Sequence, residues 1–345
     1  MVKVVYEDTM RIISQTDLSN LKNKTLLLTG FNGLIGGAIL NLIYVLNKEY
    51  AYNTKVIGFS KSPLRDYWSY IPEDRNFFLY ARDLFGQNAQ LEVNFDYFIH
   101  ASTYAQPAKF LEDKLSTIAL NTVVLKNILD LAEQSSASGL FVSSSEIYGE
   151  PDINNIPTGE TYNGNVSTTG VRAPYYESKR LGETICHIYR QDKNLDVKIA
   201  RVSSIYGPGI SVADKRVLGD LIRKALFEKR ITLMDAGTQQ RVWCYVSDCL
   251  IMMLNVLLNG RELIYNVAGK SKVSIKELAE KVGEITRVPV DIPESKGIFM
   301  SNAPSTVELC TDRYFSEFPD IDYISLEDGL KNTIDWNKAV LKIGG

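Results

Sequence analysis

The chain alternates short, wholly apolar runs with longer stretches in which apolar residues recur at helical spacing. Lys24–Thr29 reads KTLLLT, and a run without polar alternation suits a parallel strand buried on both faces. Lys55–Ser60 (KVIGFS), Tyr97–Ala101 (YFIHA), Leu140–Ser143 (LFVS) and Val197–Val202 (VKIARV) repeat the pattern, and Phe77–Tyr80 does so more weakly. Helical patterns lie between them. A leading helix runs up to about Asn23, a long apolar helix follows the first strand, and Leu115–Gln134 precedes the strand at Leu140. Ser274–Thr286 (SIKELAEKVGEIT) reads as a helix in a tail punctuated by Pro289, Pro293 and Pro304. Strands alternating with helices predict an α/β fold on a doubly wound parallel sheet. Residues 1–202, with about 236–268, are assigned to the sheet domain, and 203–235 with 269–345 to a smaller C-terminal lobe.

Composition narrows the class. A chain of 345 residues suffices for one large α/β unit or two interlocked ones. With 45% hydrophobic and 23% charged residues it is expected to pack as a globule. The formal net charge is -3 with no basic block, which gives no reason to expect nucleic acid or a membrane surface as partner. The first ten residues, MVKVVYEDTM, carry acids where a signal peptide would be apolar. The run Leu34–Leu46 is broken by Gly36, Gly37 and Asn41 and falls short of the ~20 residues of a membrane span. A cytoplasmic location is the expectation. Cys186, Cys244, Cys249 and Cys310 form no CxxC pair, and His100 and His187 are the only histidines. A zinc site needs about four clustered ligands, so reduced thiols and no metal are expected.

Chemistry enters at the first turn. Thr29-Gly30-Phe31-Asn32-Gly33-Leu34-Ile35-Gly36 stands between the first strand and the long helix. A dinucleotide site asks for glycine there for a tight turn, for backbone approach to the pyrophosphate, and for close helix–strand packing. The pyrophosphate then meets the free N–H groups of the helix. Three glycines alone are a weak signal; their place between strand and helix makes the sheet Rossmann-type and the ligand a dinucleotide. The second strand ends in Ser60-Lys61-Ser62, without the acid that holds a ribose diol, and Lys61 could meet a 2′-phosphate. NAD is the first expectation and NADP stays open. Asp83, in Arg82-Asp83-Leu84 after the third strand, stands where an adenine contact would lie, or is a solvated loop acid.

A tyrosine followed four residues later by a lysine on one helix face is a device for proton transfer, because the ammonium stabilises phenolate. The spacing occurs three times, at Tyr44/Lys48, Tyr175/Lys179 and Tyr189/Lys193. Only Tyr175 starts a helix after the loop that follows the fifth strand, and ligands in open α/β sheets bind beyond the carboxyl ends of strands. Ser143-Ser144-Ser145-Glu146-Ile147-Tyr148-Gly149 closes that strand with hydroxyls and a carboxylate suited to general-base work.

At these residues the chain resembles the extended short-chain dehydrogenase/reductases, the NAD-dependent epimerase/dehydratase family of nucleotide-sugar enzymes. The resemblance runs from Gly30 to about Ala268. It rests on TGFNGLIG, on IHAST (Ile99–Thr103), on SSSEIYG, on RAPYYESKR (Arg172–Arg180), on IYGPG (Ile205–Gly209), on GTQQR (Gly237–Arg241) followed by YVSD (Tyr245–Asp248), and on YNVA (Tyr265–Ala268). It implies cofactor contacts from Gly30, Asn32, Gly33, Leu34, Ile35, Gly36, Ser60, Lys61, Asp83, Leu84, Ala101, Ser102, Thr103, Tyr175, Lys179 and Val202. It implies catalysis by Ser144, Glu146, Tyr175 and Lys179: Ser144 hydrogen-bonds the sugar 4-hydroxyl, Tyr175 removes its proton, and Lys179 binds the nicotinamide ribose and tunes Tyr175. It implies a nucleotide-diphosphate sugar held by Ala105, Ser145, Arg172, Ser204, Arg216, Val217 and Arg241, with Arg241 on the diphosphate. Relatives dimerise through helices flanking the active-site helix, so a homodimer is implied.

The shared first step yields a 4-keto sugar, and the residues around it decide the fate of that ketone. Glu146 after Ser145 resembles UDP-glucuronate decarboxylases and GDP-mannose 4,6-dehydratases, as RAPYYESKR and Ala213–Val217 (ADKRV) resemble the decarboxylases. A 4,6-dehydratase or decarboxylase of surface-polysaccharide or deoxysugar synthesis is expected, ahead of a 4-epimerase or 4-dehydrogenase/reductase. A non-catalytic dinucleotide-binding protein on the same fold is the rival from another class; retention of Ser144, Tyr175 and Lys179 speaks against it. Two departures stand out: Ser204 replaces the family's asparagine, and no basic residue lies near Ala303-Pro304-Ser305, where many relatives place a nucleotide-binding arginine.

Overall fold

A computed structural model describes residues 1–84, 93–294 and 304–343; of the Ala303-Pro304-Ser305 segment, Ala303 lies outside them. In chain order the elements are α1 (Lys3–Gln15), β1 (Thr25–Thr29), α2 (Leu34–Tyr50), β2 (Lys55–Ser60), β3 (Phe77–Ala81), β4 (Tyr97–His100), α3 (Pro107–Glu112), α4 (Lys114–Ala119), α5 (Leu125–Ser135), β5 (Ser138–Ser144), α6 (Ala173–Asp192), β6 (Val197–Val202) and β7 (Ser204–Tyr206). After these come α7 (Val217–Arg223), β8 (Ile231–Thr232), β9 (Gln240–Tyr245), α8 (Val246–Asn259), β10 (Ile264–Val267), β11 (Ser271–Ser274), α9 (Ile275–Thr286), β12 (Val290–Asp291), β13 (Thr306–Val307), α10 (Asp312–Glu317) and α11 (Leu326–Leu341).

Among the described residues the main sheet has seven strands in the order β10-β6-β5-β4-β1-β2-β3, every pair parallel. The expected doubly wound α/β fold is therefore present. Each of the six expected strands forms, and β10, noted in the sequence only as the YNVA motif, adds an edge. The chain runs outward from β1 through β2 to β3, then returns to lay β4 on the other side of β1. This reversal opens a crevice beyond the carboxyl ends of β1 and β4.

The smaller lobe is organised around β9, which pairs antiparallel with β11 and parallel with β7 and β13. The segment expected in the sheet domain, 236–268, divides: β9 belongs to the smaller sheet, whereas β10 pairs with β6. The helix between them, α8, is buried from Val246 to Leu257; a helix apolar on all sides is a core element, and α8 joins the two lobes in one hydrophobic core. The leading helix ends at Gln15 rather than near Asn23. Thr16 is already extended, and the Asp17 carboxylate accepts from the Ser19 amide at 3.0 Å, a local bond that competes with helix.

The run Lys114–Ser135, in which α4 passes through a π-helical turn at Leu120–Val124 into α5, is long and apolar enough to cross a membrane by length and composition. Half of it is buried, and its α4 turn packs against α6, as a core helix of an α/β domain does.

Helix α1 docks through charge. Tyr245 donates to Asp8 Oδ2 at 2.8 Å, and Arg11 Nη2 lies 2.6 Å from Asp248 Oδ1. Burial, reinforced by Asp248, pushes the Asp8 carboxyl up to about 7 against the hydrogen bonds and Arg11 that favour its charge. A carboxyl whose folded pKa is raised contributes stability below its unfolded value near 4, and that contribution is lost as pH rises through about 7. Asp8→Asn keeps an acceptor for Tyr245 without a charge. Its thermal midpoint should gain on the parent's as pH is raised from 5 to 8; parallel melting curves across that range would refute the assignment.

Candidate active site

The glycine turn is closed by backbone. Gly30 adopts φ +80°, and a Cβ there would lie 2.8 Å from the Ala101 carbonyl oxygen. A Cβ on Gly36 would lie 2.3 Å from the Gly30 carbonyl oxygen, inside any contact distance. Gly33 caps α2 with no side-chain acceptor, leaving the first amides of a 17-residue helix turned to the cleft. Asn32 Nδ2 donates to the Ser62 carbonyl at 2.7 Å and the Ser62 hydroxyl at 3.0 Å, which ties the turn to the loop after β2. Asn32 Oδ1 and Thr103 Oγ1 are buried without a protein partner. A backbone cradle, a helix N-terminus and two orphaned oxygens fit a dinucleotide.

Across the crevice, β5 ends in Ser144 and α6 begins at Ala173, with Pro174 in its first turn, a position that wants no N–H. The Ser144 hydroxyl favours the charged form of the Tyr175 phenol and accepts from the Glu146 amide at 3.2 Å. The Tyr175 ring stacks on Phe110 with centroids 5.1 Å apart. Both Glu146 oxygens lie 2.6 Å from Arg172 Nη2, and the Arg172 guanidinium lies over the rings of Phe110 and Tyr176. Burial holds Tyr175 up at about 12, with the Glu146 charge adding to it; Ser144, Arg172 and Arg216 pull the other way.

Lys179 differs from its expected place. It shares a helix face with Tyr175, yet its Nζ donates to the Val142 carbonyl at 2.6 Å and sits 4.5 Å from the Phe141 ring centroid. It is 1% exposed, so the ammonium takes the nearest acceptor behind the cleft wall. Burial pulls it down to about 7, against Glu183 one turn further on. The groups that most favour the charged form of Tyr175 are Ser144, Arg172 and Arg216.

The other two pairs resolve differently. Lys48 donates to Tyr44 at 3.2 Å on α2. Tyr189 donates to Asp130 and Lys193 pairs with Glu133. None of these four residues lines the cleft, whose volume is about 910 Å³. Every other site residue singled out in the sequence does line it, Leu84, Ala105, Ser145, Ser204 and Val217 included, with Lys179 alone set behind the wall. Arg216 is braced by Asp214 at 2.6 Å. Arg241 donates to the Gln240 carbonyl at 2.7 Å and has no carboxylate partner among the described residues. The sequence reading missed Arg65, Arg82, Tyr104, Met234 and Trp243, which also line the cleft. Trp243 Nε1 and Ser203 Oγ are buried there without partners. A partnerless indole N–H carries no sequence signal; it is recognised only once the fold buries it.

A buried ion pair holds the end of β5. Glu183 accepts from Ser143 and, at 2.6 Å, from Arg201, and Arg201 also donates to Tyr148 at 2.8 Å. Removing one partner of such a pair costs about 3–5 kcal/mol, while replacing both with apolar residues costs far less. Glu183→Gln should therefore unfold at markedly lower denaturant than the double variant Glu183→Leu/Arg201→Met. Equal midpoints would show that the pair adds no specific constraint.

The family model "NAD dependent epimerase/dehydratase family" matches residues 26–268. UDP-glucuronic acid decarboxylase 6 of Arabidopsis thaliana is 31% identical over 271 residues, 78% of this chain and 76% of the plant protein. UDP-glucuronic acid decarboxylase 1 of Xenopus tropicalis is 29% identical over 268 residues, 78% of this chain but 62% of the frog protein; several of these relatives are thus matched over less than two thirds of their length. Among solved structures, a dTDP-glucose 4,6-dehydratase of Streptomyces venezuelae with NAD and TYD bound superimposes with a TM-score of 0.79 at 19% identity, over 91% of this chain and 97% of that one. A UDP-glucuronic acid 4-epimerase of Bacillus cereus in complex with UDP-glucuronic acid and NAD gives 0.73 at 21% identity, over 92% and 99%. At such identities the likeness is one of fold.

Proposed function

The chain belongs to the NAD dependent epimerase/dehydratase family, and from that membership we propose an enzyme that modifies a nucleotide-diphosphate sugar through transient oxidation at C4, with loss of the C6 carboxyl of a hexuronate as the leading reaction. The observation that carries the reading is spatial. Ser144, Glu146 and Tyr175, from the end of β5 and the start of α6, face the same cleft as the glycine cradle.

A bound nicotinamide would be held by the Gly30–Gly36 turn, Thr103 and the start of α6, and would supply a hydride acceptor and donor and, when oxidised, a positive charge. Tyr175 takes the proton of the sugar 4-hydroxyl and later returns it, with Ser144 fixing the hydroxyl between them. A phenol held near 12 by burial and Glu146 needs added positive charge before it can serve as base, so proton transfer is coupled to cofactor occupancy. Arg172 holds the Glu146 side chain at the cleft through both of its oxygens. Arg241, a guanidinium with no carboxylate of its own among the described residues, suits an anionic group of the substrate. The decarboxylase reading is supported by the plant and frog relatives and by this cation. A ketone at C4 weakens the C5–C6 bond of a uronate. Carbon dioxide leaves, the electron pair passes to the enolate, and C5 takes a proton.

A second reading, dehydration to a 4-keto-6-deoxy sugar, is favoured by Glu146, because abstraction of the C5 proton needs a carboxylate. Mass spectrometry of products from UDP-glucuronate, GDP-mannose, and thymidine- and CDP-glucose separates the two. Loss of carbon dioxide supports the first, loss of water the second, and unchanged mass with a new retention time an epimerase. Tyr175→Phe should lower turnover by at least about a thousandfold while leaving nucleotide binding within about twofold; retained turnover would sink the assignment.

A homodimer is proposed as well. Leu115, Ile118 and Val123 from the α4–α5 run, and Leu181 and Ile188 on α6, are exposed apolar residues on neighbouring helices. A second copy that covers this face would bury them in a two-fold helical interface. Light scattering should give twice the 38.8 kDa chain mass, and Leu115→Glu/Leu181→Glu should give the monomer. A monomeric parent would exclude the dimer.

A further inference from the structure

We propose that the adenosine end of the cleft is built for a phosphate on the ribose 2′-oxygen, so that the chain takes NADP(H) in preference to NAD(H); this rests on the reading of the glycine cradle as a dinucleotide site. A ribose diol is held by a carboxylate at the end of β2, which accepts both hydroxyls and repels a 2′-phosphate. Here β2 ends at Ser60 and continues Lys61-Ser62.

Three cations from the ends of β2 and β3 and the segment between these strands line this cleft. Lys61 follows β2, Arg65 precedes the short turn Asp66–Trp68, and Arg82 follows β3. Sequence separates them by up to 21 positions, but β2 and β3 are parallel neighbours with Ser60 opposite Ala81. All three side chains line the cleft. Neither Arg65 nor Arg82 has a carboxylate partner among the described residues, whereas Lys61 donates to the Tyr104 hydroxyl at 2.9 Å. Asp83 is the one carboxylate among the described residues lining this end. The surplus of positive charge matches a phosphate monoester of about −1.5 to −2, and guanidinium forks suit its oxygens.

The loop that carries these groups is also fixed. Asn32 of the glycine turn donates to the Ser62 and Pro63 carbonyls and the Ser62 hydroxyl. The turn that meets the pyrophosphate therefore sets the position of the segment leading into Arg65. The Ser60 hydroxyl, at the same rim, adds a donor.

The test needs no sugar. Protein stripped of nucleotide is titrated with NADPH and with NADH by fluorescence at fixed, moderate salt, and nucleotide released from freshly purified protein by denaturation is identified chromatographically. NADPH should bind at least about tenfold tighter, and the released nucleotide should be NADP. Arg65→Gln and Arg82→Gln should each weaken NADPH about tenfold and leave NADH within about twofold; unchanged NADH binding shows the cradle intact. Equal or tighter binding of NADH by the parent, or variants that weaken both nucleotides alike, would overturn the proposal. A parent that binds neither nucleotide would overturn the dinucleotide reading itself.

Discussion

The close approach of two backbones at the reversal of strand order governs the rest of the molecule. Gly30 opens the turn after β1 within a methyl group's clearance of the Ala101 carbonyl after β4. His100 locks the same junction. It is fully buried and held far below its usual range, to about 3, so it stays neutral. One ring nitrogen meets the Thr29 hydroxyl at 2.7 Å and the other the Leu120 carbonyl at 2.9 Å. The ends of β1 and β4 and the start of α5's helical run are thereby tied together. The crevice lined by the candidate site residues, Lys179 excepted, lies beside a gap that no side chain can fill.

From this junction the site is assembled by buried charge rather than by surface complementarity. On α6 the positions Tyr175, Lys179 and Glu183 follow one another at single-turn spacing, and each reaches a different partner. The phenol faces the cleft, the ammonium takes the Val142 carbonyl, and the carboxylate bridges Ser143 to Arg201. One helix thus clamps the end of β5 at two successive residues, the Val142 carbonyl and the Ser143 hydroxyl, next to Ser144. Strong desolvation is tolerated because each buried charge or dipole has a partner.

The cleft wall also carries an ordered distribution of charge. On the side of β2 and β3 it carries Lys61, Arg65 and Arg82. On the side of β5 and α7 its guanidiniums are paired: Arg172 with Glu146, Arg216 with Asp214. Paired guanidiniums are held in place and fix the orientation of their carboxylate partners. Unpaired ones are available to a ligand's own anionic groups.

How far the sequence determined this is visible in particular residues. The buried strands were legible because a segment covered on both faces has no use for polar alternation, and the glycines because only they avoid the backbone around them. Three Tyr-x-x-x-Lys spacings were also legible, but helical periodicity cannot choose among them. Each puts its pair on one face, and the pair that hydrogen-bonds directly, Tyr44/Lys48, lies away from the cleft. Tertiary structure separates them: of the three tyrosines, Tyr175 at the start of α6 lines the cleft, and Tyr44 and Tyr189 do not. It also turned Lys179 toward β5, since burial forced its ammonium onto the nearest carbonyl. It brought Arg65 and Arg82 into the lining of the same cleft as Lys61, with β2 and β3 paired side by side. Arginines in irregular segments carry no periodicity, so nothing short of the folded sheet could reveal that they share a cleft.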